Sequence, residues 1–361
     1  MRENFEMLQL FANAGSLVNG SDSYVNANDG TTQAFSGADT MDGALKVFYD
    51  TELLENARAE MFYAQFAKKQ PLPAGHGKTV EWRKWNTFDK AEQLKEGVIP
   101  SGQKFGISSR TGTVNQYGTY ASITDVLELR AYDPIILGAT EEMGASAAET
   151  QETLIRDALL VNSNVLYCDN VTLATGEVTG AAPTGCDQME ASTTVMSLLT
   201  PDTVAKAVTF LKKNRVPTIG GKYYAVIHPS VAYDLRRSKD WIEAHKYAAV
   251  SEIFNGEIGE LHNCRFVENV FAPVLGGEYA NKAGTKTYAT YFFGKDAFGI
   301  IDPEGGALEM IVKDKSQVGG PLNQFSTVGY KLETNGATIL YPERLLRVMS
   351  CSSFSATDEE N

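Results

Sequence analysis

Residues 133–162 read DPIILGATEEMGASAAETQETLIRDALLVN. Asp133 is a ready N-cap, and Pro134 suits the first helical position, where its missing N–H would have no partner anyway. Beyond them Ile136, Ala139, Met143, Ala147, Leu154, Ala158 and Val161 fall on one stripe at steps of three and four, with Thr150 at the remaining node. The spacing predicts a single helix from Pro134 to about Asn162, ~43 Å long at 1.5 Å per residue. Globular helices average roughly three turns, so the simplest picture is one long helix lying across a thin body.

Upstream, Lys78 to Trp85 reads as a strand, with Val80, Trp82 and Trp85 among Thr and Arg on a pleated surface. Thr111 to Thr124, with Val114, Tyr117, Tyr120 and Ile123, reads as a second. The connection Asn86–Arg110 carries Lys90, Glu92, Lys95, Glu96, Gly97, Pro100, Gly102 and Lys104 and reads as polar throughout. Structureless connections of this length are uncommon inside a compact domain and usually have a task. Here the segment is predicted to project from the body as the tip of a long hairpin.

Farther out, residues 12–41 are rich in Gly, Ser, Asn, Asp and Thr and read as an extended arm. Asp42 then caps a helix through Leu45, Phe48, Leu53, Ala57, Met61 and Phe66 that ends at Pro71. Thr200-Pro201-Asp202 starts another, with Val204, Val208 and Leu211 on its apolar face and Lys212 and Lys213 at its end, where cations suit the helix dipole. Tyr223–His228 reads as a strand and Pro229 opens a short helix. Further strands are predicted over Tyr288–Gly294, Phe298–Ile301, Thr327–Leu332, Ala337–Leu340 and Leu345–Met349, and Asp358-Glu359-Glu360 closes an acidic tail.

The formal charge of the 361-residue chain is -13. That balance disfavours tight phosphate binding, which needs clustered Lys and Arg. No apolar run reaches the ~18 residues of a membrane span, and the first residues lack a signal-peptide core. Cys168, Cys186, Cys264 and Cys351 form no C-x-x-C pair and read as free thiols of a reducing cytoplasm. Gly75-His76-Gly77-Lys78-Thr79 looks like the end of a phosphate-binding loop, but Leu72 stands where that pattern needs glycine, and a strand follows where a helix should. His76, His228, His245 and His262 make no metal-binding pair. The pattern yields no catalytic residue, no cofactor site and no metal site. Trp82, Trp85 and Phe88 with Arg83 and Lys84 fit stacking on single-stranded nucleic acid, which the net charge opposes; packing on a neighbouring subunit explains them as well.

The order of these parts resembles the major capsid proteins of tailed bacteriophages, more narrowly the family typified by the podovirus N-four. The blocks that carry the likeness run from about residue 43 to 350. They are Gly77-Lys78-Thr79-Val80-Glu81-Trp82-Arg83-Lys84, Leu94-Lys95-Glu96-Gly97-Val98, Gln116-Tyr117-Gly118, Ile123-Thr124-Asp125-Val126-Leu127 and Asp133-Pro134-Ile135. His228-Pro229, Trp241-Ile242-Glu243-Ala244-His245-Lys246-Tyr247, Gly294-Lys295-Asp296-Ala297-Phe298-Gly299, Pro321-Leu322-Asn323-Gln324 and Ser326-Thr327-Val328-Gly329-Tyr330-Lys331 complete the set.

The resemblance implies an α+β chain of the Hong Kong 97 capsid fold. Residues 1–42 would be an N-terminal arm and 78–124 the extended E-loop hairpin. Residues 43–77, 125–200 and 319–352 would form the peripheral domain with its spine helix, 201–318 the axial domain, and 353–361 the tail. The chain would be a non-enzymatic shell protein, assembled in the host bacterial cytoplasm and resident in the virion capsid. It would pair with itself in hexamers and pentamers, and with portal, scaffolding or decoration proteins of the same phage. Double-stranded DNA would be touched only weakly and without sequence preference, and no membrane would be involved. Candidate inter-subunit contacts are Trp82, Arg83, Trp85, Lys90, Glu92, Lys95, Glu96 and Lys104 on the hairpin and Tyr24 and Phe35 on the arm. Two readings compete: an encapsulin-like cellular compartment, and an acidic α/β enzyme acting on a small molecule.

Residues 12–41 are too polar to pack a core, so ordering them costs ~1–2 kcal/mol per residue that only repeated contacts offset. We expect proteases to cut this arm readily in free subunits and slowly in particles; equal cleavage rates would make it a passive tail.

Overall fold

The strand Thr287–Phe293 is buried at all 7 of its positions, and Leu345–Ser350 beside it at all 6. A strand hidden on both faces needs cover on both, and the side chains divide by their alternation. Tyr288, Phe292, Ala225, Ile227, Leu346 and Val348 enter one core, while Tyr291, Phe293, Val226 and Leu345 enter the other. The computed structural model describes residues 23–25, 32–34, 62–86, 88, 90–91, 93, 96–97, 102–130, 135–238, 241, 259–304, 308–318, 322–354 and 358–361. Residues 1–56 and 57–361 form two units. The described part of the first is one antiparallel pair, Ser23–Val25 with Thr32–Ala34. All that follows lies in the second.

The two buried strands belong to a seven-stranded mixed sheet. Its order runs Glu260–Leu261, Cys264–Glu268, Tyr223–Ile227, Thr287–Phe293, Leu345–Ser350 and Val165–Tyr167, with Val274–Leu275 paired to the start of the central strand. One face is covered by the helices Pro201–Lys213 and Pro229–Arg237, through Val204, Ala207, Val208, Leu211, Val231 and Leu235. Both helices open as the sequence predicts. Thr200 Oγ1 accepts from Thr203 N–H at 3.3 Å ahead of Pro201, and His228 Nδ1 accepts from Ser230 N–H at 3.2 Å ahead of Pro229.

The other face is covered by the long helix, Ile135–Leu160, whose 26 residues span about 39 Å. Ile155 and Leu159 pack under the seven-stranded sheet. Farther toward the N-terminus, Ala147 and Met143 pack on Tyr330 and Leu332 of a second, three-stranded antiparallel sheet. That sheet is ordered Leu308–Lys313, Phe325–Thr334, Asn115–Thr124, and the Tyr330 hydroxyl lies 3.1 Å from Thr150 Oγ1. The helix therefore joins two sheets.

Its buried face differs from the expected stripe. Val161 is exposed, whereas Glu152 and Arg156 are buried beside Ile155 and Leu159. Glu152 Oε1 accepts from Phe62 N–H at 2.9 Å, Tyr63 N–H at 3.2 Å and Asn269 Nδ2 at 2.8 Å. A count of apolar side chains cannot find a face whose central residue is a carboxylate chosen for hydrogen bonds. The helix expected up to Pro71 also differs. Its part from Asp42 to Met61 lies outside the described residues; Tyr63–Phe66 is helical, and Lys68–Leu72 is a strand parallel to Phe298–Pro303. Pro71 is tolerated because this strand is the edge of its sheet, ordered Thr338–Ile339, Phe298–Pro303, Lys68–Leu72.

The acidic tail is docked. Asp358 accepts from Ser230 Oγ at 2.6 Å and from the Tyr288 hydroxyl at 2.8 Å, while the Ser352 hydroxyl and Ser353 N–H donate to Asp234 at 3.0 and 2.8 Å. The four cysteines are free and buried, and burial pushes the Cys351 thiol up to about 11, so these thiols are poor nucleophiles.

Burial raises the Glu152 carboxyl above its usual range, against the three N–H groups that favour its charged form. Its stabilising contribution is then complete below the ordinary carboxylate pKa and is lost as pH rises through the raised folded value. Glu152→Gln keeps the acceptor oxygen without the charge. In urea unfolding across pH 4–8, wild-type stability should fall relative to this variant as pH rises through that window; parallel curves would refute a perturbed Glu152. Glu152→Leu, which strands three donors, should lose on the order of 3 kcal/mol.

Candidate functional site

The strands Thr79–Trp85 and Ile107–Thr113 pair with each other and with no other strand among the described residues. The ladder is closed at one end by Asn86 N–H donating to Gly106 O at 2.9 Å, and at the other by Val114 N–H donating to Lys78 O at 2.8 Å. The strand predicted over Thr111–Thr124 is thus two strands. It leaves the ladder at Val114 and continues as Asn115–Thr124 in the three-stranded sheet. The connection at the tip is accordingly shorter than predicted, and Arg110 stands inside the ladder opposite Trp82.

A two-stranded ribbon has two faces, and this one uses them differently. On the first, Trp82 points at the rest of the chain. A Cβ added to Gly112 would come within 2.8 Å of the Trp82 ring, and one added to Gly299 within 3.2 Å. The indole thus lies against Gly112, where an added Cβ would clash with it, and closely against Gly299, beside Leu340. Trp82, expected at a contact between subunits, packs its ring against its own chain and stays half-buried.

On the opposite face stand Glu81, Arg83 and Trp85, with Ile107 across from Trp85. Arg83 pairs with Glu81 at 3.1 Å in the open. Trp85 stacks on Phe105, ring centroids 4.2 Å apart and planes 18° from parallel, and Phe88 stacks on Phe105 at 5.2 Å and 16°. All three rings remain more than half exposed: Trp85 59%, Phe105 57% and Phe88 54%. The tip is therefore not polar throughout, because its two phenylalanines extend the tryptophan into a continuous aromatic face. Phe105 carries no periodic signal in sequence; only the register that sets it beside Trp85 reveals it.

Lys90 and Lys104 are exposed, and Glu96 is exposed at a turn formed with Gly97, whose φ is +77°. Glu92, Lys95 and Phe35 lie outside the described residues, as does the side chain of Tyr24. A second exposed apolar group was not foreseen: Val126, Leu127 and Leu129 on the short helix Asp125–Arg130, with Leu322 and Phe325 at the same end of the three-stranded sheet. Among the described residues no group of His, Cys, Asp or Glu is placed to hold a metal, and no helix is long and apolar enough to cross a membrane. His228, the most buried histidine among the described residues, is a helix cap that packs on the Tyr288 ring.

The profile of a family described as phage capsid protein matches residues 108–342. No curated protein matches by sequence. Several solved structures share the fold. The capsid of cyanophage Pam1 aligns with a TM-score of 0.65 at 11% identity, covering 90% of this chain and 99% of that one. The capsid of Ralstonia phage GP4 aligns at 0.63 and 12% identity, covering 88% and 98%. The capsid of cyanophage P-SCSP1u aligns at 0.61 and 16% identity, covering 87% and 94%.

Gly112→Val should force the Trp82 ring off its seat and loosen the ladder. Amide hydrogen exchange at residues 79–85 and 107–113 is expected to quicken at least tenfold, with the strand Thr287–Phe293 unchanged. Unaltered exchange in the ladder would show that Trp82 is not its anchor.

Proposed function

The chain belongs to the phage capsid protein family, and from that premise we propose how it builds a shell: the ladder is the arm by which each copy holds the next. It is a major capsid protein, with a Hong Kong 97-type fold, and copies of it form the virion shell. The observation that carries the reading of the ladder is the exposed stack of Trp85, Phe105 and Phe88. Large stacked rings left in water are disfavoured by about 25 cal/mol per Å² of apolar surface, and aromatic residues are enriched at buried interfaces. A neighbouring copy that covers the stack removes that cost. Lys90, Glu96 and Lys104, with Glu92 and Lys95, would form the charged rim around it. The apolar end near Leu129 and Leu322 offers a second contact. Two different patches on one chain suit heterologous contacts, which close into rings when the rotation between copies allows.

The division into a peripheral domain built on the long helix, an axial domain over 201–318 and an E-loop over 78–124 is supported by the two sheets that the helix joins and by the separately paired ladder. Hexamers and pentamers, portal, scaffolding and decoration partners, loose contact with packaged DNA and assembly in the host cytoplasm belong to the same proposal. The narrower likeness to the podovirus N-four group rests on the sequence blocks alone. The family match favours the phage shell over a cellular compartment or an enzyme.

Replacing Trp85, Phe88 and Phe105 together by serine should leave a folded subunit with unchanged far-ultraviolet dichroism. It should raise the concentration needed for particle formation at least tenfold, read by light scattering and negative-stain microscopy, and deleting the tip should abolish particles. Normal particles from either variant would sink the assignment of the ladder.

A further inference from the structure

On the Trp82 face of the ladder lies a cavity of about 270 Å³ between the ladder and the segment Leu340–Glu343. Its lining alternates out of the two strands as a pleated ribbon requires: Trp82, Lys84 and Asn86 from one, Ser108 and Arg110 from the other, with Lys68 from the edge strand. Three cations, Lys68, Lys84 and Arg110, thus face one cavity. Arg83 also lines it, but its guanidinium is turned to Glu81. The single carboxylate is Glu343, held by Lys84 Nζ at 2.8 Å. Lys84 also lies 4.7 Å from the centre of the Tyr341 ring, whose face carries the Arg344 guanidinium at 3.8 Å. Lys68 and Arg110 have no ion pair within the chain among the described residues. In a chain with 45 acids against 32 bases, an unneutralised basic cleft runs against the overall balance.

We propose that this cleft is a receptor for a carboxylate-bearing segment of a second copy of this chain, and that it locks the ladder in place once the aromatic stack has found its neighbour. The inference rests on the shell reading, which supplies the second copy. The resident carboxylate shows how the cleft treats such a group. Burial alone would raise the Glu343 pKa, yet the Lys84 hydrogen bond and the neighbouring cations hold it below the usual range. Charge complementarity selects the occupant. The surface of another copy is on balance anionic, and a shell holds copies at high effective concentration. Duplex DNA is a poorer fit, because three cations around a small cavity meet few phosphates, while the acidic surface around them repels a polyanion. Contacts of this kind weaken with salt, since the Debye length falls from ≈ 10 Å at 0.1 M to 3 Å at 1 M.

The test uses full-length free subunits and a fluorescent hexaglutamate peptide as probe, read by anisotropy at 50 mM and 500 mM salt. The peptide should bind wild type at low salt and at least tenfold more weakly to Lys68→Glu/Arg110→Glu, whose side chains make no intramolecular ion pair that the fold would miss. Glu343→Gln removes the competing resident carboxylate, so it should bind the peptide two- to threefold more tightly, a gain that misfolding cannot imitate. Equal binding by all three proteins would overturn the proposal. So would a short DNA duplex that binds more tightly than the peptide and is lost in the double variant, since the cleft would then read phosphate. The double variant should also need a higher concentration to form particles, and normal particle formation would remove the second copy as occupant. Failure of wild type to form particles at all would count against the shell reading, while the peptide measurements would still decide the chemistry of the cleft.

Discussion

The contact of the Trp82 ring with Gly112 and Gly299 is the hinge of the structure. A two-stranded ribbon with no second sheet is marginal in water, and this one turns one large aromatic side chain toward the rest of the chain. Two glycines, one in the ribbon itself and one in the strand Phe298–Pro303, let the indole come close to the backbone. With that face anchored, the described residues leave the other without cover. Trp85, Phe105 and Phe88 are exposed because Trp82 is not, and the same alternation puts Lys84 and Arg110 over the basic cleft.

The remainder of the fold supplies something rigid to anchor to. The seven-stranded sheet is covered on one face by two short capped helices and on the other by the long helix, which continues onto the three-stranded sheet. Glu152 sits on that helix and receives the chain at Phe62 and Tyr63, just before it enters the edge strand that leads to the ladder. The carboxylate is costly to bury, but it supplies the acceptor for N–H groups at the start of a helix too short to satisfy its own ends. The path into the ladder is thus fixed at Glu152 and again at Trp82. Cohesion of the subunit and exposure of its aromatic face follow from one arrangement, which suits a protein whose task is to meet copies of itself.

The sequence by itself determined the long helix, the two proline-led helices, most of the core strands and the existence of a ribbon with an unusually long connection. These are properties of local periodicity and capping chemistry, which adjacent residues carry among themselves. The family blocks added the fold class for the same reason: their order along the chain is one-dimensional information. Tertiary structure alone decided which face of the long helix is buried, that Lys68–Leu72 is a strand, that the second strand of the ribbon splits at Val114, and that Trp82 and Trp85 have opposite fates. Each of those outcomes depends on a partner far away in sequence. Glu152 needs Asn269, Lys68 needs Gly299, Trp82 needs Gly299 and Leu340, and Phe105 needs the register that brings it to Trp85. A residue's type tells what it can bond or bury; only the folded chain brings it the group to bond with or the surface to bury against.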